Sequence, residues 1–182
     1  MPLGGNPVEN VMNILIVYAT KSGTTKDCAL ELGKYFSSHT VTYADLAKEQ
    51  PKIGEYDVVI VGSYIRRGKI ARSVSAYLKE HRTELLERRF GLYLCCGSSD
   101  NALEYFKSNF DRELWEKADS AMTFGGEARV DRQKGMDKLI MKLMLHMIRE
   151  NNRNEDRDRD IPLPALIPEN ISRFADQIKS GK

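Results

Sequence analysis

NILIVYATKSGTT, residues 13 to 25, joins an unbroken apolar run to a loop rich in hydroxyl groups. The run from Asn13 to Ala19 has no polar face, which is typical of a short strand buried on both sides. The six residues that follow contain four hydroxyl side chains and one glycine, and they lead directly into a helical pattern. The stretch therefore predicts a buried strand, a polar loop and a helix, in that order.

The polar loop has the features of an anion site. Its residues are Thr20, Lys21, Ser22, Gly23, Thr24 and Thr25. A helix start offers unpaired N–H groups and a partial positive charge, hydroxyl groups add donors, and Gly23 lets the backbone approach closely or adopt a positive φ. This combination suits a dianionic phosphate without a metal or a lysine. The alternative, that these Ser and Thr residues only cap the helix, stays open at this point.

The rest of the chain alternates apolar runs with amphipathic stretches. We predict further strands at 40–43, 56–62, 90–96 and 121–124, and helices at 24–37, 72–86, 101–110, 136–150 and 168–179. Buried strands that alternate with helices indicate a parallel sheet covered on both faces, and ligands of such sheets bind at the carboxyl ends of the strands. The loops after Ala19, Gly62, Cys96 and Phe124 are therefore the candidate site.

We expect one domain, residues 12–182, preceded by a flexible leader, residues 1–11. Residues 151–160 are charged and contain no apolar side chain, which predicts a solvated loop. Three cysteines, Cys28, Cys95 and Cys96, do not form an even disulfide framework, so a reducing cytoplasm is the simpler inference. Cys95 and Cys96 end a buried strand, where small buried hydrophobes are the simpler interpretation and reactive thiols the alternative.

Charge and motifs exclude several other classes of protein. The net charge of +2 gives no global field for nucleic acid. The Gly-rich run ending in Gly-Lys-Ser/Thr that binds nucleoside triphosphates is absent, as are the three spaced glycines of dinucleotide folds. The histidines are scattered without metal-ligand spacing, so we expect no metal site.

At this point the sequence resembles a known family. Thr20-x-Ser22-Gly23-x-Thr25 is similar to the FMN phosphate loop of flavodoxins at each position of the motif. The resemblance implies a three-layer α/β fold, a five-stranded parallel sheet in the order 2-1-3-4-5 with helices on both faces, and noncovalent FMN. The residues that it implies for cofactor binding are Thr20, Lys21, Ser22, Gly23, Thr24, Thr25, Ser63, Tyr64, Ile65, Arg66, Cys96, Gly97 and Ser98.

Two further motifs resemble menaquinone-dependent protoporphyrinogen IX oxidases within that family. They are YDVVIVGSYIRRG, residues 56–68, and DKLIMKLM, residues 137–144. This resemblance implies an FMN-dependent oxidoreductase of haem biosynthesis, in which hydride passes from a porphyrinogen to the flavin and electrons then pass to a quinone. The alternative is a small electron carrier of the flavodoxin type, against which the basic loops argue. No side chain stands out as a catalytic acid or base.

Cations cluster beside the expected flavin edge. Arg66, Arg67 and Lys69 follow the second buried strand, and Arg129 follows the last strand. A basic rim suits an anionic substrate such as a porphyrinogen with two propionates, whereas the simpler interpretation is ordinary solubilising charge. We predict these four residues as substrate contacts.

Methionine and leucine side chains form a helical stripe between residues 136 and 148. Most such stripes pack on a core, which is the first interpretation. The second is a flexible surface that admits a flat macrocycle or a quinone, or that rests on the inner face of the cell membrane. The sequence leaves open whether the chain forms a homodimer.

Overall fold

The computed structural model describes residues 10–97, 99–132, 134–153 and 163–181. Most of the predicted leader and Ser98 lie outside the described residues, as do residues 154–160 of the predicted charged loop. Residues 151–153 of that segment are helical. They continue the preceding helix, because a charged sequence without Pro or Gly does not by itself end one.

The described residues form a sheet of six strands, five of which are parallel, where the sequence predicts five in all. The strands are β1 (Asn13–Tyr18), β2 (Thr40–Asp45), β3 (Val58–Arg66), β4 (Lys69–Ile70), β5 (Arg89–Cys95) and β6 (Ser120–Thr123). The parallel strands follow the order β2-β1-β3-β5-β6. Because β4 is an addition outside this path, the order is the predicted 2-1-3-4-5 arrangement, and the predicted fold class is confirmed.

The additional strand β4 pairs antiparallel with the end of β3, through Ile65 and Ile70. Arg67 and Gly68 make the turn, with φ values of 50° and 74°. A two-residue turn with positive φ at both positions is a hairpin signal, and it satisfies the right-handed twist of the strands. The hairpin extends β3 beyond the sheet and carries Arg66 and Arg67 outward.

Seven helices lie in the described part of the chain. They are α1 (Thr24–Lys34), α2 (Arg72–Glu80), α3 (Arg82–Leu86), α4 (Ala102–Asn109), α5 (Arg112–Lys117), α6 (Gly135–Arg153) and α7 (Pro168–Ser180). The predicted helix 72–86 is divided at His81, whose ring contacts Tyr77 at 4.5 Å. Helix α5 was not predicted, although its start carries a clear signal: the Asp111 side chain accepts hydrogen bonds from the N–H groups of Glu113 and Leu114.

Two apolar layers cover the sheet. Leu15, Val59 and Leu92 face one layer, which includes side chains of α2, α3, α4 and α5. Ile14 and Ile60 face the other layer, which is formed with α1 and α7. Alternate residues of each strand thus enter opposite cores, as a period of two requires. The longest helix, α6, belongs to neither core, and its described side chains are all at least partly exposed.

Candidate functional site

A cavity of about 620 Å³ opens at the carboxyl ends of the parallel strands. This volume lies in the usual range for small-molecule and cofactor sites. Its lining comes from the loops after β1, β5 and β6, from the β3–β4 hairpin and from one face of α6. The lining residues are Lys21, Ser22, Thr24, Thr25, Tyr64, Ile65, Arg66, Arg67, Cys95, Cys96, Gly97, Asp100, Gly126, Glu127, Ala128, Ile140, Met141, Met144, Ile148 and Pro164.

The polar loop after β1 forms one end of the cavity. Gly23 adopts a φ of 91° and is the N-cap residue of α1. Its N–H donates a hydrogen bond to Thr20 Oγ1 at 3.0 Å. The hydroxyl groups of Ser22 and Thr24 lie 3.3 Å apart and line the cavity. Because the capping position is a glycine without a side-chain cap, helix capping does not account for this group of hydroxyls.

The β3–β4 hairpin forms a second wall. Tyr64, Ile65, Arg66 and Arg67 line the cavity, whereas Lys69 on the same hairpin is not among the lining residues in the described part of the chain. Two of the three predicted cations on this hairpin, Arg66 and Arg67, therefore line the cavity, and Lys69 does not, although the three are close in sequence.

Ser63 has a different place from its neighbour Tyr64. Its hydroxyl is buried, accepts a hydrogen bond from the Ala71 N–H at 3.0 Å and donates to the Tyr64 carbonyl at 3.0 Å. Successive side chains of a strand point to opposite faces. The Ser63 side chain thus holds the hairpin against the start of α2, and it does not contribute its hydroxyl to the cavity lining.

The end of β5 supplies Cys96 and Gly97, while the predicted Ser98 lies outside the described residues. The Cys96 N–H donates to the Gly125 carbonyl at 2.9 Å, which fixes this end against the segment after β6. A hydrogen bond with Cys28 and burial raise the pKa of the Cys95 thiol well above its usual range. A neutral, buried thiol is a poor nucleophile, so the structure favours the interpretation of Cys95 as a small buried hydrophobe.

Arg129 lies beside the polar loop and not beside the hairpin. Its guanidinium contacts the Asp27 carboxylate at 2.5 Å and the Glu127 carboxylate at 2.7 Å. Arg132, which also follows the last strand and belongs to the basic rim that the sequence predicts, donates to the Ser22 carbonyl at 3.4 Å. The sequence predicts this cation at the ligand edge but not its contact with the first loop.

One face of α6 forms the apolar wall of the cavity, through Ile140, Met141, Met144 and Ile148. The other apolar side of the helix is open to solvent. The most exposed apolar side chains of α6 are Met136, Leu139, Leu143 and Met147. The predicted stripe is therefore shared between the cavity and the surface, and it does not pack on the main core.

The described ranges contain no cluster of three or more potential metal-ligating side chains. Within the same ranges, no helix has both the length and the apolar character to cross a bilayer.

The family model described as Flavodoxin domain matches residues 15–156. The chain belongs to the flavodoxin family. It is 24% identical over 147 residues to protoporphyrinogen IX dehydrogenase [quinone] of Escherichia coli K12, a match that covers 75% of this chain and 80% of that protein.

Two solved flavodoxins are similar to this chain. A short-chain flavodoxin associated with a PDU bacterial microcompartment has a TM-score of 0.51 and 13% identity, over 93% of this chain and 98% of that one. A flavodoxin of Fusobacterium nucleatum, solved with flavin mononucleotide bound, has a TM-score of 0.41 and 16% identity, over 65% of this chain and 72% of its own. Membership of the flavodoxin family supports FMN, the cofactor that the sequence predicts.

Proposed function

We propose that this chain is an FMN-dependent oxidoreductase that oxidises an anionic, porphyrinogen-like substrate and uses a quinone as electron acceptor. The observation that carries the proposal is the composition of the cavity, which combines a hydroxyl-rich loop, an apolar wall and three cations, Lys21, Arg66 and Arg67. The similarity to protoporphyrinogen IX dehydrogenase [quinone] supports the choice of substrate and acceptor.

The residues of the cavity fit FMN. Positive φ at Gly23 brings the loop backbone close to the start of α1, where the N–H groups of the helix end and the hydroxyls of Ser22 and Thr24 favour a phosphate dianion. Tyr64, Ile65 and the α6 side chains supply apolar surface for a planar ring. When bound, FMN supplies hydride and electron transfer, which the side chains of the cavity lack.

Flavin binding is tested first. Ser22→Ala removes a hydroxyl from the loop, and Ser37→Ala removes one from an exposed position after α1. We expect the dissociation constant for FMN, measured by quenching of flavin fluorescence, to rise several-fold in S22A and to be unchanged in S37A. If both variants bound FMN as tightly as the parent protein, the proposal that the polar loop binds FMN would be wrong.

The cations of the hairpin bind the substrate carboxylates in this proposal. Arg66 and Arg67 stand at the cavity, where a guanidinium group can pair with a propionate in bidentate geometry. Arg67→Gln is the test variant and Lys69→Gln is its matched control, since both are exposed cations of one hairpin. We expect R67Q to raise KM for the porphyrinogen with little change in kcat, and K69Q to leave both unchanged.

The activity itself is tested with FMN-loaded protein, anaerobic protoporphyrinogen IX and a menaquinone analogue, followed by protoporphyrin fluorescence. We expect a rise that depends on both the protein and the quinone. Bound flavin without any rise above the blank would overturn the oxidase proposal. The alternative function, a small electron carrier, would then be preferred, since membership of the flavodoxin family favours it. Rapid one-electron exchange with a redox protein would support that alternative.

The open side of α6 fits a lipid surface, which would bring the cavity near a membrane quinone. The exposed apolar stripe lies next to a row of cations on the helical wheel: Lys138, Lys142, Arg149 and Arg153. An amphipathic helix with this arrangement lies in the interface of an anionic bilayer. The proposed location is therefore cytoplasmic, at the inner face of the cell membrane.

Vesicle sedimentation tests this contact. We expect the protein to bind vesicles of phosphatidylglycerol, and to bind phosphatidylcholine vesicles less. Leu143→Gln should weaken binding, and Leu103→Gln, which changes an exposed leucine of α4, should not. A dimer in analytical ultracentrifugation that L143Q dissociates, without vesicle binding, would assign this face to a second copy instead.

A further inference from the structure

The segment between β6 and α6 crosses over the polar loop and brings two guanidinium groups to it. Val130–Arg132 forms a short helical turn, and Arg132 Nη1 lies 3.4 Å from the Ser22 carbonyl oxygen. A β-carbon built at Gly23 would lie 2.6 Å from Arg132 Nη1 and 3.5 Å from Arg129 Nη1. Both cations therefore converge where the loop has no side chain, at the start of α1.

The charges around these two arginines are unequally balanced. The side chain of Arg129 is 17% exposed and is held by two carboxylates, Asp27 and Glu127. Arg132 is 55% exposed, and its nearest carboxylate contact is Asp27 at 4.0 Å. Arg129 thus compensates the negative charge that Asp27 places in the first turn of α1, and Arg132 adds positive charge beside the same loop.

We infer that Arg132 and Arg129 make this site selective for a phosphorylated flavin. The inference rests on the proposed binding of FMN and adds the residues that recognise its charge. Hydroxyl and N–H groups accommodate a phosphate as neutral donors, whereas a guanidinium supplies charge-assisted hydrogen bonds that riboflavin cannot accept there. Arg132 pairs with the phosphate, and Arg129 removes the repulsion between Asp27 and the dianion.

The same contact couples the cofactor to the cavity wall. Arg132 precedes α6 (Gly135–Arg153), whose Ile140, Met141 and Met144 line the cavity. A phosphate held between the start of α1 and Arg132 ties this segment to the loop. FMN, but not riboflavin, therefore slows amide hydrogen exchange in the first turns of α6.

The test measures the dissociation constants of FMN and riboflavin for the parent protein, Arg132→Gln and Arg112→Gln. Arg112 is an exposed cation of α5 that does not line the cavity, and it serves as the control. We expect R132Q to weaken FMN about tenfold to a hundredfold, in line with the loss of a charge-assisted contact. Riboflavin should change less than about twofold, and the salt dependence of FMN binding should become shallower.

A second pair of variants tests the role of Arg129. Arg129→Gln leaves Asp27 uncompensated and should weaken FMN, and Asp27→Asn in the same chain should restore much of the affinity. Loss of FMN and riboflavin affinity by equal factors in R132Q, or no loss of either, overturns the inference while FMN binding by the parent protein stands. If the parent protein binds no FMN, the proposed function itself fails, and the inference with it.

Discussion

The ring of Tyr93 on β5 fills the space where Gly62 on the neighbouring strand β3 would carry a side chain. A β-carbon built at Gly62 would lie 2.0 Å from Cζ of Tyr93 and 2.3 Å from its hydroxyl oxygen. The ring cannot retreat easily, because it stacks on Phe124 at 4.6 Å and its hydroxyl donates to the Thr25 carbonyl at 3.0 Å. This contact links the end of β3 to the start of α1, directly beneath the polar loop.

Gly62→Ala should therefore destabilise the protein. We expect a loss of about 1–3 kcal/mol in the free energy of unfolding, the usual cost of overpacking a core that cannot relax. Urea unfolding measures it. Gly54→Ala is the matched control, since a β-carbon there meets no atom within 4 Å. If G62A were as stable as G54A, the ring of Tyr93 would have to move aside for the new β-carbon, which would contradict the expectation.

Tyr93 also predicts a loss of stability at alkaline pH. Burial raises its pKa well above the ordinary value of 10.0. Near pH 10 the unfolded chain releases this proton and the folded chain keeps it. The contribution of Tyr93 to the free energy of unfolding is therefore fully present below about pH 10. Above that pH it declines, by up to about 1.4 kcal/mol per pH unit for one group.

Tyr93→Phe isolates this contribution. The variant loses the hydrogen bond to Thr25, which should cost about 0.5–1.5 kcal/mol at neutral pH. Above pH 10 its unfolding free energy should fall less steeply than that of the parent protein, so the two curves approach each other. If the unfolding free energies of Y93F and the parent protein stayed parallel up to pH 11, Tyr93 would ionise in the folded protein as readily as in the unfolded chain.

The three cysteines should react slowly with thiol reagents in the folded state. Cys28, Cys95 and Cys96 are 1%, 5% and 6% exposed. Buried thiols react mainly after local or global opening. We expect labelling by a disulfide reagent to be at least about tenfold slower in buffer than in urea. A thiol that labels rapidly in folded protein would contradict this expectation, and mass spectrometry would then distinguish Cys95 from Cys96, which both line the cavity.

The sequence predicts the sheet and the polar loop well because both depend on local patterns. The runs around Ile16, Ile60 and Leu92 are apolar on both faces, which is the property of a central parallel strand. Gly23 stands where the chain must turn with positive φ, so its type alone indicates the geometry of the loop. Strand order and loop position then follow from general rules of parallel sheets.

Other features depend on contacts between distant segments. Ser63 and Tyr64 are neighbours in a predicted loop, and only the extension of β3 through both shows that their side chains point to opposite sides. Arg132 is 110 residues from Ser22 in sequence. No local pattern states that the segment after β6 returns to the first loop, so its role beside α1 could be found only from the structure.

Asn109 at the end of α4 anchors the hairpin that carries Arg66 and Arg67. Its Oδ1 accepts a hydrogen bond from the Ile70 N–H at 3.2 Å, and its Nδ2 donates to the Gly68 carbonyl at 2.9 Å. An isolated two-stranded hairpin is only marginally stable in water. We therefore expect Asn109→Ala to loosen the hairpin, with faster amide exchange at Ile70 and a several-fold loss of affinity for any ligand that the hairpin helps to bind.

Asn109→Asp distinguishes between the two hydrogen bonds that Asn109 makes to the hairpin. The aspartate keeps an oxygen acceptor for the Ile70 N–H but loses the donor to Gly68. We expect exchange at Ile70 to be protected in N109D and not in N109A, while Lys107→Ala, two residues earlier and exposed, behaves like the parent protein. Each lost hydrogen bond should lower global stability by about 0.5–1.5 kcal/mol. Equal protection of Ile70 in all three variants would show that the hairpin holds its position through β3 alone.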